Sequence, residues 1–349
     1  MTQLLLTATV SLAVIMFGQS PAGRAGAAAP MEIPTAEISN GQLRARLYLP
    51  DAHRGFYRST RFDWSGVVGS LEYSGHQFYS PWFTKTDASV RDFIYRGADI
   101  IASAQSSMVG PAEEFSRPQG YTSAKAGGTF VKVGVGVLRK SDDSAYSAYN
   151  TYELVDAGTW TVNPKPESVE FIQDLTDKSS GYGYVYRKTI RIAPGKPEMT
   201  IAHSLRNTGR LPLQVNQYNH NFLVLDHATT GPDFRITVPF AIQTARPPDP
   251  ALAEIRGGKE IVFLKTLQGE DRVSIAIQGF GTDAKDYDVQ VENVKTGAGF
   301  RVTSDRPVAS MSLWSIRSVI SMEPFVDVST EPGATTSWTY TYTYFARPQ

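Results

Sequence analysis

Alternating apolar and polar positions dominate this chain, and they predict β-strands. Valines at every second position occupy Val131 to Val137, and Tyr182 to Ile192 alternates in the same way. A period of two places successive side chains on opposite faces of a sheet. The same pattern recurs at Val273–Gly279, Asp288–Val294 and Val308–Trp314.

Turn signals separate these strands, whereas helical periodicity is poor. The run Met199–Arg206 meets Asn207-Thr208-Gly209 and a strand pattern resumes at 211–218, which predicts a hairpin. Ser89–Gln105 is the one candidate helix. The sequence therefore predicts an all-β fold, a single large antiparallel β-sandwich over residues 28–349.

The N-terminus has the pattern of a signal peptide. Leu4 to Phe17 is apolar but too short to span a bilayer, and Ala25-Gly26-Ala27 fits a small-x-small cleavage site. We expect residues 1–27 to be removed and the protein to be periplasmic or secreted. With no cysteine for a lipid anchor, no membrane anchor is expected.

Composition narrows the possible functions. The 349 residues include 41% hydrophobic and 19% charged positions, have a formal net charge of zero and contain no cysteine. Disulfides, thiolate metal sites and thiol nucleophiles are thereby excluded, and neutrality argues against nucleic acid as a partner. Aromatic residues make up 11%, which suits strands and the stacking faces of sugar sites.

Two segments carry candidate acid–base chemistry. Glu323 lies in Met322-Glu-Pro-Phe-Val-Asp327, ahead of a Pro-Gly turn and a final aromatic strand, and His220 lies in Gln217-Tyr-Asn-His-Asn-Phe222. Taken alone, Glu323 could be a solvated acid and His220 a structural histidine. Imidazole is nevertheless the group best suited to proton transfer near neutral pH.

Together these segments resemble the catalytic Glu and His of the galactose mutarotase-like (aldose 1-epimerase-like) superfamily. The resemblance implies a β-supersandwich in which Glu323 removes the proton of the anomeric hydroxyl and His220 protonates the ring oxygen. It also implies that the two side chains face one cavity, separated by about the width of a sugar ring. No cofactor is expected for such a reaction.

Five further residues are candidate substrate contacts. His76 lies in an early Gly-containing loop similar to one that carries a second histidine in mutarotases, and Trp82 lies in a Trp-Phe segment resembling the sugar-phosphate epimerase branch. Arg61 stands among aromatic residues, either as a fork for hydroxyls or as part of a charged strand edge. Glu114 lies in a predicted loop whose sequence resembles a Glu-Glu-Phe element of the same superfamily. Asp233 lies in an Asp-Phe-Arg segment that resembles one in aldose epimerases. A backbone-capped His76 and an ordinary turn at Asp233 are the alternatives.

The sequence gives little indication of a metal site, a dinucleotide site or a hydrolase site. The histidines have no paired zinc-ligand spacing, so no metal is expected. Gly134-Val-Gly136 lies within a strand pattern rather than before a helix, and no nucleophile elbow surrounds a serine.

The sequence thus predicts an exported carbohydrate-active protein, an aldose 1-epimerase-like isomerase acting on a mono- or oligosaccharide. Because one fold carries many functions, two alternatives stay open. One is a polysaccharide lyase using Tyr79, His76 and Arg61, and the other is a non-catalytic carbohydrate-binding protein.

Overall fold

The computed structural model describes residues 32–347. The predicted signal peptide, residues 1–27, lies outside the described residues. The described residues from Ile33 onward form one compact unit. No described helix is long and apolar enough to cross a membrane.

The described residues form β-strands joined by turns and two one-turn 3-10 helices, at Leu225–His227 and Ala284–Asp286. The strands, in chain order, are β1 Thr35–Ser39, β2 Leu43–Tyr48, β3 Val67–Tyr73, β4 His76–Gln77, β5 Lys85–Thr86, β6 Phe93–Arg96, β7 Asp99–Ala102, β8 Gly110–Phe115, β9 Thr129–Lys132, β10 Gly136–Arg139, β11 Glu153–Asp156, β12 Thr159–Lys165, β13 Ser168–Asp177, β14 Tyr182–Ile192, β15 Glu198–Asn207, β16 Leu213–Phe222, β17 Phe234–Thr237, β18 Ala253–Arg256, β19 Glu260–Phe263, β20 Arg272–Ile277, β21 Asp288–Asn293, β22 Ala298–Ser304, β23 Ser310–Ile316, β24 Val319–Thr330 and β25 Thr335–Ala346.

Two large antiparallel sheets build the sandwich. The ten-stranded sheet has the order β12-β13-β14-β15-β25-β22-β21-β17-β19-β18, and the five-stranded sheet has the order β20-β23-β24-β16-β8. Three smaller sheets, β1 to β4, β5 to β7 and β9 to β11, complete the structure. The predicted all-β antiparallel sandwich is confirmed.

Strand β25 contributes aromatic side chains to the core between the two large sheets, because its buried and less buried residues alternate. Trp338, Tyr340, Tyr342 and Tyr344 are fully buried, while the threonines between them lie on the other face. Two of the tyrosine hydroxyls have partners in the facing sheet: Tyr340 bonds Gln217 of β16, and Tyr342 bonds both Asn219 and Asn221 of the same strand. Buried polar groups need such partners, so this layer also fixes how the sheets align.

Strand β16 therefore has two different faces. Its odd-numbered residues from Leu213 to Asn221 face the ten-stranded sheet, whereas Tyr218, His220 and Phe222 lie on the outer face. Loops cover this outer face, so His220 is also buried. The imidazole of His220 is thus held on a strand of the five-stranded sheet but lies outside the main core.

Four charged or polar side chains form a buried cluster between the sheets. Lys188 Nζ lies 2.6 Å from Glu113 Oε2 and 3.4 Å from Asp63 Oδ2, and His203 Nε2 lies 3.0 Å from Glu113 Oε1. The His203 ring stacks on Trp338 at 4.6 Å. Removing Lys188 would leave the carboxyl group of Asp63 buried without its cation.

Three predictions of local structure are wrong. Ser89–Gln105 is not helical but contains the hairpin β6–β7. The valine run 131–137 is broken at Gly134, where φ is +76°, so that β9 and β10 fold back on each other. The turn at residues 207–209 is present, yet β15 and β16 belong to different sheets and do not form a hairpin.

Candidate active site

The candidate site is a row of side chains that crosses the outer face of the five-stranded sheet. Ser312 of β23 pairs in register with Glu323 of β24. The pairing of Tyr218 with Phe325 and the bridge of Leu223 with Ile320 share one register, which places His220 of β16 directly opposite Glu323. Side chains in such opposed positions lie about 5 Å apart at Cβ and touch.

His220 and Glu323 contact each other accordingly. Nε2 of His220 lies 3.3 Å from Oε1 of Glu323. Ser312 Oγ donates a hydrogen bond to Glu323 Oε2 at 3.0 Å, and Ser321 Oγ lies 2.7 Å from His220 Nδ1. Both side chains line one cavity, as expected, but the expected gap of a sugar ring between them is absent because the strands are neighbours.

Burial determines the protonation of this pair. It raises the pKa of Glu323 to about 7, against the opposing influence of the Ser312 hydrogen bond and the Arg61 charge. Burial, and then the charge of Arg61, lowers the pKa of His220 well below 6.5. Contact at 3.3 Å would by itself favour the charged pair, but desolvation is the largest influence on each group. Between the lowered pKa of His220 and about pH 7 the pair therefore holds one proton, with the neutral form favoured.

Aromatic rings form the walls of the cavity, which has a volume of about 170 Å³. Phe222 stacks on the imidazole of His220 at 3.7 Å, Trp82 stacks on Phe222, and Trp314 meets both rings edge-on. The polar lining includes Asp92 and three serines. Apolar faces with a few convergent polar groups are typical of small-ligand sites.

Arg61 lines the cavity from an ordered loop between β2 and β3. Its Nε donates to Glu114 Oε2 at 2.9 Å and its Nη2 donates to the Tyr218 hydroxyl at 3.1 Å. The guanidinium also lies over the ring of Tyr149, 4.8 Å from its centre. Glu114 is paired a second time, with Lys132 at 3.1 Å. Burial works to raise the pKa of Glu114, but these two cations outweigh it and the pKa is lowered.

The structure brings four of the seven predicted site residues together. His220, Glu323, Arg61 and Trp82 line the cavity. Glu114 lies in strand β8 rather than in the predicted loop, and it is buried behind Arg61 instead of lining the cavity.

The other two predicted contacts lie elsewhere. His76 lines a different pocket, beside β2 and β3, and its Nδ1 lies 2.7 Å from Asp226 Oδ2. Asp233 is an exposed residue that precedes β17 of the ten-stranded sheet. Neither is among the residues that line the cavity with His220.

The residues assigned to a lyase do not converge. Tyr79 is fully buried, and its hydroxyl lies 3.0 Å from that of Tyr344. Burial raises its pKa far above the usual value. With His76 in a separate pocket, Arg61 alone of the three lines the cavity.

Sequence reasoning missed several cavity residues. Asp92 and Phe93 lie in the segment predicted as a helix, and Tyr149 lies in a loop without a motif. Ser312 and Trp314 were detectable, because alternation along β23 places them on the same face. Their pairing with Glu323 depends on a register that no short motif reveals.

The described part of the chain offers no metal centre: residues 32–347 contain no group of three or more His, Asp or Glu side chains that could hold an ion. The groups in the cavity that could take part in chemistry are thus the carboxyl group of Glu323, whose pKa is near neutrality, and the imidazole of His220 beside it. Aromatic side chains surround them.

No protein-family model matches the chain, and no curated protein matches it in sequence. Solved structures do match in fold. An aldose epimerase homologue of C. elegans has a TM-score of 0.51 at 14% identity, covering 90% of this chain and 100% of its own. A galactose mutarotase related enzyme of Lactobacillus acidophilus has a TM-score of 0.50 at 12% identity, over 89% and 97%. A galactose mutarotase-like protein of Clostridium acetobutylicum has a TM-score of 0.50 at 9% identity, over 91% and 100%.

These likenesses identify the fold as galactose mutarotase-like. The predicted resemblance is confirmed at that level. At 9–14% identity they carry no residue's role from one protein to another.

Proposed function

We propose that this protein is an aldose 1-epimerase-like isomerase, in which His220 and Glu323 interconvert the anomers of a sugar. The observation that carries the proposal is the contact at 3.3 Å between the imidazole of His220 and the carboxyl group of Glu323 in one small cavity. Burial, which lowers the pKa of His220 and raises that of Glu323, favours a pair with one transferable proton. The fold shared with aldose epimerase homologues agrees with it.

The short separation suits the reaction. Ring opening of a hemiacetal removes the proton of the anomeric hydroxyl and adds a proton to the ring oxygen, and both oxygens are bonded to the same carbon. An acid and a base that touch each other can therefore reach both oxygens from one side. In the neutral pair, His220 Nε2 takes the hydroxyl proton and the Glu323 carboxyl group protonates the ring oxygen. Reclosure on the other face of the carbonyl returns both protons.

These roles are the reverse of those that the sequence resemblance implies. Imidazolium with carboxylate and imidazole with carboxylic acid contain the same number of protons, so both assignments describe one protonation state of the pair. Burial favours the uncharged arrangement as the resting form. Trp314, which lines the cavity and is only partly buried, then offers an apolar surface to a pyranose ring.

Substitution of the two residues tests the proposal. In Glu323→Gln the amide keeps the shape of the carboxyl group but cannot exchange the proton, so kcat should fall by about 100-fold or more while sugar binding changes little. His220→Asn should act in the same direction. Polarimetry on a panel of aldoses measures the interconversion, and calorimetry measures binding.

A matched control is Asp327→Asn, four residues along β24, where the carboxylate is exposed and bonded to Asn216. It should retain wild-type activity. Activity retained in Glu323→Gln would falsify the mechanism. Binding of sugars without interconversion by the wild-type protein would instead support the carbohydrate-binding alternative, and ultraviolet absorbance from cut uronate polymers would support the lyase.

A further inference from the structure

Asp92 lies in the wall of the cavity, but the proposed proton transfer does not use it. The residue directly precedes β6 and lines the cavity together with His220 and Glu323. The cavity has a volume of only about 170 Å³. A sugar ring whose anomeric carbon lies at His220 and Glu323 must therefore contact other parts of the lining, and its remaining hydroxyl groups need polar partners there.

Contacts on both sides of Asp92 hold its carboxyl group in place. Ser106 Oγ, which also lines the cavity, donates a hydrogen bond to Asp92 Oδ1 at 2.5 Å. The next residue, Phe93, meets Trp82 and Trp314 edge-on, with 5.5 Å and 5.7 Å between ring centres. The carboxyl group is therefore anchored to the same aromatic rings that surround the catalytic pair.

The second oxygen of this carboxyl group is free to bind a ligand. Within residues 32–347, Oδ2 of Asp92 has no hydrogen-bond or ion-pair partner, and the side chain is only half-buried. A carboxylate accepts hydrogen bonds but donates none. The ligand group that suits it must therefore be a donor, and the donors of an aldose are its hydroxyl groups.

Arg61 offers donors beside this acceptor. Its Nη1 donates to Ser106 Oγ at 3.4 Å, so that Ser106 joins the guanidinium to the carboxyl group of Asp92. Arg61 makes three side-chain hydrogen bonds, and a guanidinium has more N–H groups than these bonds use. Because a sugar hydroxyl both donates and accepts, it can donate to Asp92 Oδ2 while it or its neighbour accepts from Arg61.

We infer that Asp92 is a specificity-determining residue, which accepts a hydrogen bond from one hydroxyl group of the aldose while His220 and Glu323 act at the anomeric carbon. This rests on the proposed function and adds a requirement to it: the substrate must present a donor at one position away from the anomeric carbon. Asp92 takes no part in the proton transfer. Its contact with the sugar is the same in the ground state and the transition state, so its loss should raise KM and change kcat little.

Deoxyfluoro sugars test the inference, because fluorine replaces a hydroxyl with little change in size but cannot donate a hydrogen bond. The best aldose of the panel is compared with analogues fluorinated in turn at each hydroxyl except the anomeric one. Polarimetry measures kcat/KM, and calorimetry measures binding. The wild type should lose about ten-fold or more in kcat/KM with one analogue, chiefly through a higher KM. Asp92→Ala should lose a similar factor with the parent sugar and should no longer distinguish it from that analogue.

Two further variants guard against a folding artefact. In Asp92→Asn the amide keeps the shape and can still accept from Ser106, but it replaces the free acceptor with a donor, so it should also weaken the discrimination. Asp99→Asn is the matched control, because this carboxylate lies on the hairpin β6–β7, is bonded to the exposed Lys85 at 2.6 Å and does not line the cavity. It should keep the wild-type kcat/KM and the wild-type discrimination.

The outcomes separate the inference from the proposed function. If the wild type interconverts anomers but accepts every analogue as well as the parent sugar, or if Asp92→Ala discriminates as the wild type does, the role of Asp92 is overturned and the isomerase stands. Binding that weakens for one analogue only when Asp92 is present, without any interconversion, supports the contact and overturns the isomerase. Absence of both binding and interconversion with every aldose overturns both.

Discussion

Burial shifts the pKa values of His220 and Glu323 in opposite directions. We therefore expect the site to be active over a limited pH range. Transfer from water penalises the charged form of each group. Glu323 consequently holds its proton up to about pH 7, while His220 loses its proton well below pH 6.5. Between those limits the pair contains one proton, which is the state that can act as acid and base at once.

We therefore predict a bell-shaped dependence of kcat/KM on pH. Activity should rise as His220 loses its proton on the acid side and fall through about pH 7, where Glu323 becomes ionised. Polarimetry in a series of buffers, corrected for spontaneous interconversion, measures the profile. The residual activity of Glu323→Gln should lack the alkaline limb. A profile that keeps rising above neutrality would contradict the assignment of one proton to the pair.

At the scale of strands, side-chain alternation could be interpreted from sequence whereas register and sheet membership could not. The alternation of residues 182–192 predicts β14 correctly because it reflects burial on one face. The turn at 207–209 gives no sign that β16 crosses to the other sheet. The opposition of His220 to Glu323 likewise depends on pairing between segments a hundred residues apart, which no local pattern encodes.

Strand β16 contributes residues both to the core and to the candidate site, and a substitution of Tyr342 tests whether the core holds His220 in place. Its hydroxyl accepts a hydrogen bond from Asn219 at 2.7 Å and donates one to Asn221 at 2.8 Å, on either side of His220. Tyr342→Phe should lower the free energy of unfolding by about 1–3 kcal/mol, because both buried amides lose a partner. Urea denaturation measures this loss.

A second residue of β25 supplies the comparison for Tyr342. Thr341 lies on the opposite face of the strand, and Thr341→Val should change stability by no more than about 0.5 kcal/mol. Equal effects of the two substitutions would show that the hydroxyl layer does not hold the sheets together. A lower kcat in Tyr342→Phe with unchanged KM would indicate that His220 has shifted.

For the whole molecule, the buried carboxyl groups do not all respond to pH in the same way. Burial works to raise the pKa of Glu113, but His203 and Lys188 outweigh it and lower the pKa to about 2. The cluster between the sheets therefore stabilises the fold only when Glu113 is ionised. At Glu323 burial outweighs the Ser312 hydrogen bond and the Arg61 charge, and the pKa is raised from 4.5 to about 7. The inter-sheet core and the site thus favour different pH ranges.

The free energy of unfolding should consequently pass through a maximum. From about pH 2 to pH 4.5 the unfolded chain binds more protons at Glu113, so stability rises with pH. From pH 4.5 to about pH 7 the folded state holds an extra proton on Glu323, which lowers stability as pH rises, and Asp63, whose pKa burial raises, adds to this fall. His220, whose pKa burial lowers, opposes the fall up to pH 6.5, because there the unfolded chain holds the extra proton. Each glutamate contributes on the order of 3 kcal/mol.

Urea denaturation at a series of pH values measures the curve. Glu323→Gln should weaken the decline, so that the variant is more stable than the wild type above pH 7, since the amide has no charge to desolvate. If the variant instead declines as steeply as the wild type, ionisation of Glu323 in the cavity is not what destabilises the fold.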